Sequence, residues 1–398
     1  MKTIALTWEL GAGLGHVAHL TPIAEMAVEA GHRVAFVVRD PTKFGPYMPE
    51  GSKLYQAPVS TCSSTMYIEP ARSFTHVLHN TGFDEQEGLT SRVRAFKAIF
   101  DEIKPDVIIG NHAPTSLVAA RAAGIPFGTV GTGFCVPPPV EPIPDIRPWM
   151  ELDLPQFKRY EGGVLERTNH TLKELGSEPI EKVADIFGDP CVNYHTVYPE
   201  LDVYGPRDNV HYCRGWQFIN GNKPDWPTPR PGGKLIFAYL KKNAFLRTIL
   251  QHFAQTPHAY LVYIAGTMEH ERRQMSNDHI RVTSTPVSIE EVGKECDLAI
   301  LASGPGTIAG IWLAGKPVLI IPQYFEQEFT GNRANESGAA MVCQAAEIPK
   351  LMHFVKVLTE KGKYTKAAQA FADKYSDFSK TPEPLIDFWP HFSKTFGL

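Results

Sequence analysis

The sequence has 398 residues, of which 43% are hydrophobic and 21% charged, so it predicts two globular domains and excludes intrinsic disorder, collagen-like repeats and a coiled coil. The 39 Lys and Arg against 43 Asp and Glu give a formal net charge of -4, which makes nucleic acid an unlikely partner. Six scattered cysteines and the lack of a membrane-spanning apolar run indicate a cytoplasmic protein without disulfides, a zinc site or a transmembrane segment.

The first forty residues predict a strand, a glycine turn, a helix and a second strand. Residues 4–7 are apolar, residues 11–16 read Gly-Ala-Gly-Leu-Gly-His, and residues 17–28 carry apolar side chains three or four positions apart. Pro22 would interrupt the interior of a helix, so we place it in the first turn. Residues 33–39 supply the next strand, which completes one βαβ unit of a parallel sheet.

The same alternation returns further along the chain. Residues 105–110 and 125–130 predict strands with a helix between them, and residues 219–233 have the Pro- and Gly-rich composition of a linker. Beyond the linker, apolar runs predict a second set of strands at residues 234–239, 260–264, 280–282, 298–301 and 317–322. We therefore predict an α/β protein with two doubly wound, Rossmann-like domains that face each other across a cleft, where ligands bind in such folds. The predicted boundaries are an N-terminal domain at 1–218, a linker at 219–233, a C-terminal domain at 234–385 and a final segment at 386–398 that packs back on the first domain.

The glycine turn has two interpretations. Its G-x-G-x-G pattern, with Asp40 at the end of the second strand, resembles a dinucleotide-binding fingerprint. However, His16 stands where a third glycine would allow close packing, so a nicotinamide or flavin enzyme is the less favoured hypothesis. At a helix N-terminus the dipole keeps an imidazole neutral, which suits a general base that deprotonates a hydroxyl. The alternative is that His16 only caps the helix or packs in the turn.

A second loop of small residues lies between a predicted strand and a predicted helix, at residues 302–307, Ala-Ser-Gly-Pro-Gly-Thr. Such a loop directs backbone N–H groups outward beside the positive end of the helix dipole, which favours phosphate. The hydroxyls of Ser303 and Thr307 could add donors. After the next strand, the acid–amide pair of Glu326 and Gln327 could bind the hydroxyls of a sugar.

The order and spacing of these pieces resemble the nucleotide-diphosphate-sugar signature of GT-B glycosyltransferases of family 1, which use nucleoside-diphosphate sugars such as UDP sugars. The matching stretches are residues 302–307, Leu-Ala-Gly-Lys-Pro at 313–317, Pro-Gln-Tyr-Phe-Glu-Gln at 322–327, and Arg333 to Ala339. The Gly-Leu-Gly-His of residues 13–16, with Pro22, resembles the opening of that family's acceptor domain, and residues 196–202 resemble the segment that closes it. The resemblance therefore touches both ends and the middle of the chain.

The resemblance implies metal-independent transfer of a sugar from a nucleoside-diphosphate donor, a co-substrate with no further cofactor, to a hydroxyl of a small-molecule, glycolipid or glycan acceptor. It implies that His16 deprotonates that hydroxyl and that the anomeric centre inverts. The implied donor-binding residues are Gly13, Lys241, Lys242, Ser303, Gly304, Gly306, Thr307, Glu326 and Gln327. The two lysines either offset the charge of the diphosphate or form a solvated turn.

Four positions depart from the family pattern. Ala302 and Ser303 replace the signature histidine and first glycine, and Gly310 replaces the acidic residue that holds the ribose. Asn111 is predicted to be catalytic together with His16, because it stands where an aspartate orients the family's catalytic histidine. It can accept a hydrogen bond from the imidazole but cannot stabilise an imidazolium as a carboxylate does. These departures leave the nucleotide, the sugar and the acceptor open. Two alternatives also stay open: a nucleotide-sugar epimerase or hydrolase, and a non-catalytic nucleotide-sugar-binding partner subunit.

We expect the acceptor over the first domain, near residues 60–95 and 131–150. Five aromatic residues there form either an apolar wall for the acceptor or part of the core: Tyr67, Phe74, Phe83, Phe134 and Trp149. Four basic residues indicate an anionic acceptor, a membrane-facing surface or simply a solvated helix side: Arg72, Arg92, Arg94 and Lys97.

Overall fold

The computed structural model describes residues 1–11, 15–63, 67–213, 221–302, 304–376 and 388–398. These residues form two compact units. The first comprises the described residues within Met1–Thr196, Pro206–Trp216 and Pro384–Leu398, and the second comprises those within Val197–Gly205 and Gln217–Glu383. Residues 218–220 and 385–387, where we placed boundaries of the predicted domains, lie outside the described part of the chain.

Seven parallel strands form the sheet of the first unit, in the spatial order β3-β2-β1-β4-β5-β6-β7. They are β1 (Thr3–Trp8), β2 (Arg33–Val38), β3 (Lys53–Gln56), β4 (Val107–Asn111), β5 (Phe127–Gly131), β6 (Val192–His195) and β7 (His211–Tyr212). The winding changes direction between β1 and β4, the position at which ligands bind in open α/β sheets. Trp8 pairs with Asn111 in the sheet, so the carboxyl ends of β1 and β4 lie side by side.

In the part of the first unit that the structure describes, the α-helices between these strands are α1 (Gly15–Glu29), α2 (Pro41–Phe44), α3 (Phe74–Leu78), α4 (Gln86–Ile103), α5 (Pro114–Ala123) and α6 (Leu154–Glu174). Our placement of Pro22 in the first turn of its helix is wrong. Helix α1 begins at Gly15, so His16 occupies the first turn and Pro22 lies in the interior. Pro22 has no N–H to donate, and the helix therefore gives up one main-chain hydrogen bond there.

Six parallel strands form the sheet of the second unit, in the order β10-β9-β8-β11-β12-β13. They are β8 (Leu235–Leu240), β9 (Ala259–Ile264), β10 (Ile280–Thr283), β11 (Leu298–Leu301), β12 (Val318–Ile320) and β13 (Ala340–Val342). The helices are α7 (Leu246–Ala254), α8 (Glu269–Met275), α9 (Ile289–Glu295), α10 (Pro305–Leu313), α11 (Phe325–Glu336), α12 (Leu351–Glu360) and α13 (Lys363–Lys374). Here the winding changes direction between β8 and β11.

A final helix, α14 (Phe388–Phe396), belongs to the core of the first unit. The rings of Phe388 and Phe392 lie 4.8 and 6.0 Å from that of Tyr194 in β6, and all three side chains are fully buried. Helix α14 therefore supplies apolar surface that the neighbouring strands need as a partner.

The predicted fold class is confirmed: each unit is a doubly wound α/β layer structure with a parallel sheet. All six residues of β1 are buried, as expected for a strand covered by helices on both faces. Within the described ranges, no helix combines the length and the apolar character needed to cross a bilayer.

Candidate functional site

His16 lies in the first turn of α1 and contacts the end of β4. Its Nδ1 is 2.5 Å from Oδ1 of Asn111, so the two residues predicted as catalytic are hydrogen-bonded to each other. An amide oxygen only accepts hydrogen bonds, so Nδ1 of His16 carries the proton and donates it. Neutral His16 therefore keeps its lone pair on Nε2, where a general base needs it.

The orientation of the Asn111 amide follows from its other contacts. Nδ2 of this buried side chain is 2.6 Å from the carbonyl oxygen of Val130 and 3.2 Å from Nδ1 of His19. The Val130 carbonyl can only accept, so the amide nitrogen must face it. A flipped amide would bring two oxygens together. The contact with Val130 thus favours the orientation in which Oδ1 faces His16.

Packing around His16 keeps the imidazole neutral. Its ring stacks on Trp8, with centroids 4.8 Å apart and planes 20° apart. Burial lowers the pKa of His16 from 6.5 to about 4; the hydrogen bond with Asn111 opposes this shift, and Lys43 and Arg39 add to it. His16 is therefore unprotonated and able to accept a proton at neutral pH.

Gly11 makes room for this imidazole. Its φ of 81° lies in the left-handed region, which glycine adopts without a steric cost. A Cβ at this position would lie 2.7 Å from Nε2 of His16 and 3.3 Å from Nδ1 of His112. A glycine at position 11 therefore allows the backbone to approach the His16 imidazole closely.

His112 follows β4 with a φ of 49°, unusual for a residue other than glycine. Its carbonyl oxygen accepts a hydrogen bond from the backbone N–H of Leu10 at 2.9 Å, which joins the end of β1 to the end of β4. The imidazole centroid is 6.2 Å from that of His16. Burial, assisted by the nearby His16, lowers the pKa of His112 to about 3. Backbone strain of this kind is common beside active sites.

Glu9 is a buried carboxyl group at the same end of the sheet. It accepts hydrogen bonds from Oγ of Ser60 at 2.5 Å, from the backbone N–H of Thr115 at 2.8 Å and from Oγ1 of Thr115 at 2.5 Å. Burial raises the pKa of Glu9, and these hydrogen bonds oppose the shift. Glu9 therefore ties the end of β1 to the N-terminus of α5 and to the segment after β3.

The five aromatic residues that we proposed for the acceptor wall fall into two groups. Phe74, Phe83 and Phe134 are fully buried and belong to the core. Tyr67 and Trp149 are 62% and 53% exposed. Tyr67 also lines a cavity of about 340 Å³. Of the five proposed rings, these two are therefore accessible to a ligand from solution.

The four basic residues proposed for an anionic acceptor all have partners within the first unit. Arg72 forms an ion pair with Asp145, and Arg92 donates to the carbonyl of Gly82. The remaining two lie on α4, where Arg94 pairs with Glu174 and Lys97 with Asp101. Their arrangement favours structural roles over an open basic surface.

In the second unit, the predicted phosphate loop leads into the N-terminus of α10. Gly304 is the N-cap and Pro305 the first residue, so Gly306 and Thr307 lie in the first turn, where N–H groups lack intrahelical acceptors. A Cβ added to Gly304 or to Gly306 would meet no other atom within 4 Å. The backbone here is open to a ligand, and the helix dipole favours an anion.

The two predicted lysines have different surroundings. Nζ of Lys241 lies 5.0 Å from the centroid of the Tyr324 ring. Burial lowers the pKa of Lys241, and nearby Glu326 opposes the shift, so these two predicted donor-binding residues are neighbours. Lys242 instead forms an ion pair with Glu271 of α8, its Nζ 2.8 Å from both carboxylate oxygens.

The side chain of Gln327 is buried and bonded to main chain at both ends. Nε2 donates to the carbonyl of Ala302 at 3.0 Å, and Oε1 accepts from the N–H of Gln323 at 2.9 Å. Gln327 therefore joins the loops that follow β11 and β12. This arrangement positions the start of the phosphate loop.

Two predicted donor-binding residues, Gly13 and Ser303, lie outside the described residues. Sequence reasoning missed His19 and Glu9. The spacing of His19, three residues after His16 and so on the same helix face, is the one signal that could have identified it.

No protein-family model matches the sequence. The chain is 23% identical to a PGL/p-HBAD biosynthesis glycosyltransferase of Mycobacterium tuberculosis. The alignment spans 325 residues and covers 75% of this chain and 73% of the relative. Among solved structures, the calicheamicin glycosyltransferase CalG4 superposes with a TM-score of 0.71 at 15% identity, covering 100% of this chain and 98% of that one. The spinosyn rhamnosyltransferase SpnG, solved with thymidine diphosphate, gives a TM-score of 0.63 at 14% identity, covering 96% and 100%.

All three proteins are named as sugar-transferring enzymes. The comparisons favour neither an epimerase or hydrolase nor a non-catalytic subunit. They confirm the resemblance found in the sequence motifs. The chain therefore has the GT-B fold and is similar in sequence to glycosyltransferases.

Proposed function

We propose that the protein transfers a sugar from a nucleoside-diphosphate donor to an acceptor hydroxyl, with inversion and with His16 as general base. The hydrogen bond from Nδ1 of His16 to Asn111 carries this proposal, because it leaves Nε2 unprotonated. Asn111 thus orients the base and selects its tautomer, as a carboxylate does in other catalytic dyads.

The proposed reaction is a direct displacement. The proton of the acceptor hydroxyl moves to Nε2 of His16, and the acceptor oxygen forms a bond to the anomeric carbon. The bond from that carbon to the diphosphate oxygen breaks, and its electron pair leaves with the nucleoside diphosphate. Attack opposite to the leaving group inverts the anomeric centre.

For the donor, we propose that the first turn of α10 binds the diphosphate through backbone N–H groups. Lys241 would offset part of the diphosphate charge, so that no metal is required, and Glu326 would accept hydrogen bonds from sugar hydroxyls. SpnG was solved with thymidine diphosphate, which makes this nucleotide one candidate. A small-molecule, glycolipid or glycan acceptor, a cytoplasmic location and peripheral membrane contact stay predictions.

The nucleotide can be identified with a thermal-shift panel of UDP, dTDP, GDP and ADP. A hundredfold excess of ligand over its dissociation constant adds about 2.7 kcal/mol of stability, so the correct nucleotide should stand out. Sugar transfer with that donor is then measured with and without acceptor, and NMR gives the anomeric configuration of the product. Release of free sugar without acceptor would indicate a hydrolase. Binding without any turnover would indicate a non-catalytic subunit.

The role of His16 is tested with His16→Ala. Removal of a general base should lower kcat by about 100- to 10,000-fold while donor binding persists. His170→Ala is the matched control, since this histidine lies on the exposed face of α6. Unchanged turnover in His16→Ala would exclude His16 as the base.

A further inference from the structure

Asn111 receives a second hydrogen-bond partner from α1, and this partner is another histidine. Nδ2 of Asn111 lies 3.2 Å from Nδ1 of His19, in addition to its contact with Val130. His19 is three residues after His16, so both side chains project from one face of the helix. The Asn111 amide therefore lies against two imidazoles from the same helix.

The directions of these hydrogen bonds follow from one another. The amide nitrogen of Asn111 has two hydrogens, one donated to Val130 and the other to His19. Nδ1 of His19 must then be the acceptor, which puts the His19 proton on Nε2. That nitrogen lies 3.0 Å from Oγ1 of Thr196, which accepts it.

Thr196 is fixed in turn by the first sheet. Its backbone N–H donates to the carbonyl of Gly131, the last residue of β5, at 2.8 Å, and its side chain is buried. The polar contacts therefore run from Thr196 through His19 and Asn111 to His16. Each imidazole in this series has one defined tautomer.

We propose that His19 is a positioning residue for the base. By accepting a hydrogen bond from Nδ2 of Asn111, His19 holds the amide with Oδ1 facing His16 and so fixes the tautomer of His16. This inference rests on the proposed function of His16. His19 makes no contact with the reacting atoms in this scheme and acts only through Asn111. The role requires a neutral imidazole, because a protonated Nδ1 would face the N–H of Asn111 as a second donor.

The surroundings of His19 favour the neutral form of its imidazole. Burial, assisted by the charge that His16 would carry, lowers the pKa of His19 to about 3. The groups around it are the imidazole of His16, the amide of Asn111 and the hydroxyl of Thr196. Its acceptor lone pair is therefore available whenever His16 is able to act as a base.

The test uses variants that separate the two ring nitrogens. In His19→Asn the side-chain oxygen can replace Nδ1 as acceptor for Asn111, whereas His19→Gln keeps a donor near Thr196 and loses that acceptor. His19→Ala removes both functions, and Thr196→Val removes only the acceptor for Nε2. Thermal unfolding of the full chain shows which variants remain folded.

The first readout is independent of activity. In protein labelled with ¹⁵N-histidine, the ring nitrogen shifts of His16 should report a protonated Nδ1 and an unprotonated Nε2. We expect this pattern to be kept in His19→Asn and to become mixed in His19→Gln and His19→Ala. A wild-type pattern in folded His19→Gln would overturn the proposal, even if His16 proves to be the base.

The second readout is the division of the effect between kcat and KM. In His19→Gln, displacement of the base should lower kcat by about tenfold with little change in the KM for the donor. In His19→Asn, kcat should stay close to the wild-type value. Thr196→Val should show a smaller loss in the same direction. Equal loss in His19→Asn and His19→Gln would point to packing alone and would also overturn the proposal. If His16→Ala keeps its activity while the ¹⁵N pattern behaves as expected, only the proposed role of His16 in catalysis fails.

Discussion

The carbonyl oxygen of Val130 lies 2.6 Å from Nδ2 of Asn111, and this contact explains why an amide occupies a position where a carboxylate is expected. A carboxylate would place a negative oxygen against that carbonyl and would have no hydrogen to donate to it or to His19. The asparagine is therefore suited to its surroundings in the first unit. It orients His16 without adding a charge to the buried site.

The first prediction concerns Asn111→Asp. The new carboxylate should cost about 1–3 kcal/mol of unfolding free energy at neutral pH, because it faces the Val130 carbonyl without a hydrogen bond. Burial should raise its pKa, so the lost stability should return as the pH falls through that pKa and the carboxyl group becomes a donor. Denaturant unfolding at a series of pH values measures this. Stability equal to that of the wild type at neutral pH would contradict our account of the Val130 contact.

The second prediction compares two glycines. Gly11→Ala should lose about 1–2 kcal/mol from the left-handed backbone alone, and its Cβ should displace His16 and reduce kcat. Gly15→Ala is the control, since a Cβ there meets no atom within 4 Å and alanine favours the helix that begins at this residue. Thermal unfolding and kcat are measured for both. Equal behaviour of the two variants would show that Gly11 does not make room for the base.

The third prediction concerns the backbone at His112. His112→Val should cost about 1–2 kcal/mol, because a β-branched residue is strained at a φ of 49°. His112→Asn should cost less, since asparagine adopts this region more readily. Chemical denaturation measures the difference. If the two substitutions destabilise the protein equally, the cost comes from loss of the ring and not from the backbone.

The fourth prediction concerns pH. The proposed base, His16, can accept a proton only when Nε2 is unprotonated, and its pKa is lowered to about 4. The value of kcat/KM should therefore stay level on acidification through the normal histidine range and fall about tenfold per pH unit only below about pH 4. Initial rates over the pH range in which the protein stays folded give this profile. A decrease centred near 6.5 would mean that burial does not lower the pKa of the base.

The fifth prediction separates the two lysines after β8. Lys241→Ala should weaken binding of the nucleoside diphosphate by about tenfold, because Lys241 lies beside Glu326, the proposed sugar ligand, and the described residues of α8 form no ion pair with it. Lys242→Ala should have a much smaller effect, since Lys242 is paired with Glu271. Isothermal titration calorimetry measures both affinities. A larger loss in Lys242→Ala would reverse this assignment.

Local sequence patterns were sufficient to predict the strand–turn–helix units. The sequence predicts a strand at residues 298–301, and these residues form β11 with the same bounds. A short apolar run followed by small residues is typical of a buried strand in a parallel sheet. Pro22 was misplaced, since the packing of α1 against the sheet outweighs the loss of one hydrogen bond.

The contacts around the base required the three-dimensional structure. Asn111, Val130 and Thr196 lie at or next to the ends of β4, β5 and β6, and they come close to one another because these strands are neighbours in the sheet. Likewise, the amide of Gln327 looked available for a sugar, yet two backbone groups from other loops already use it. Sequence spacing predicts which residues are near the end of a strand, but not which of their atoms are already hydrogen-bonded.

The place of α14 in the first unit has a consequence for biosynthesis. The strands that Phe388 and Phe392 cover are translated long before the helix itself, and the whole second unit is translated in between. If the first sheet forms before translation ends, part of its apolar face is exposed to water until α14 is made. During that interval the uncovered face around Tyr194 would be accessible to chaperones, until α14 emerges and covers it.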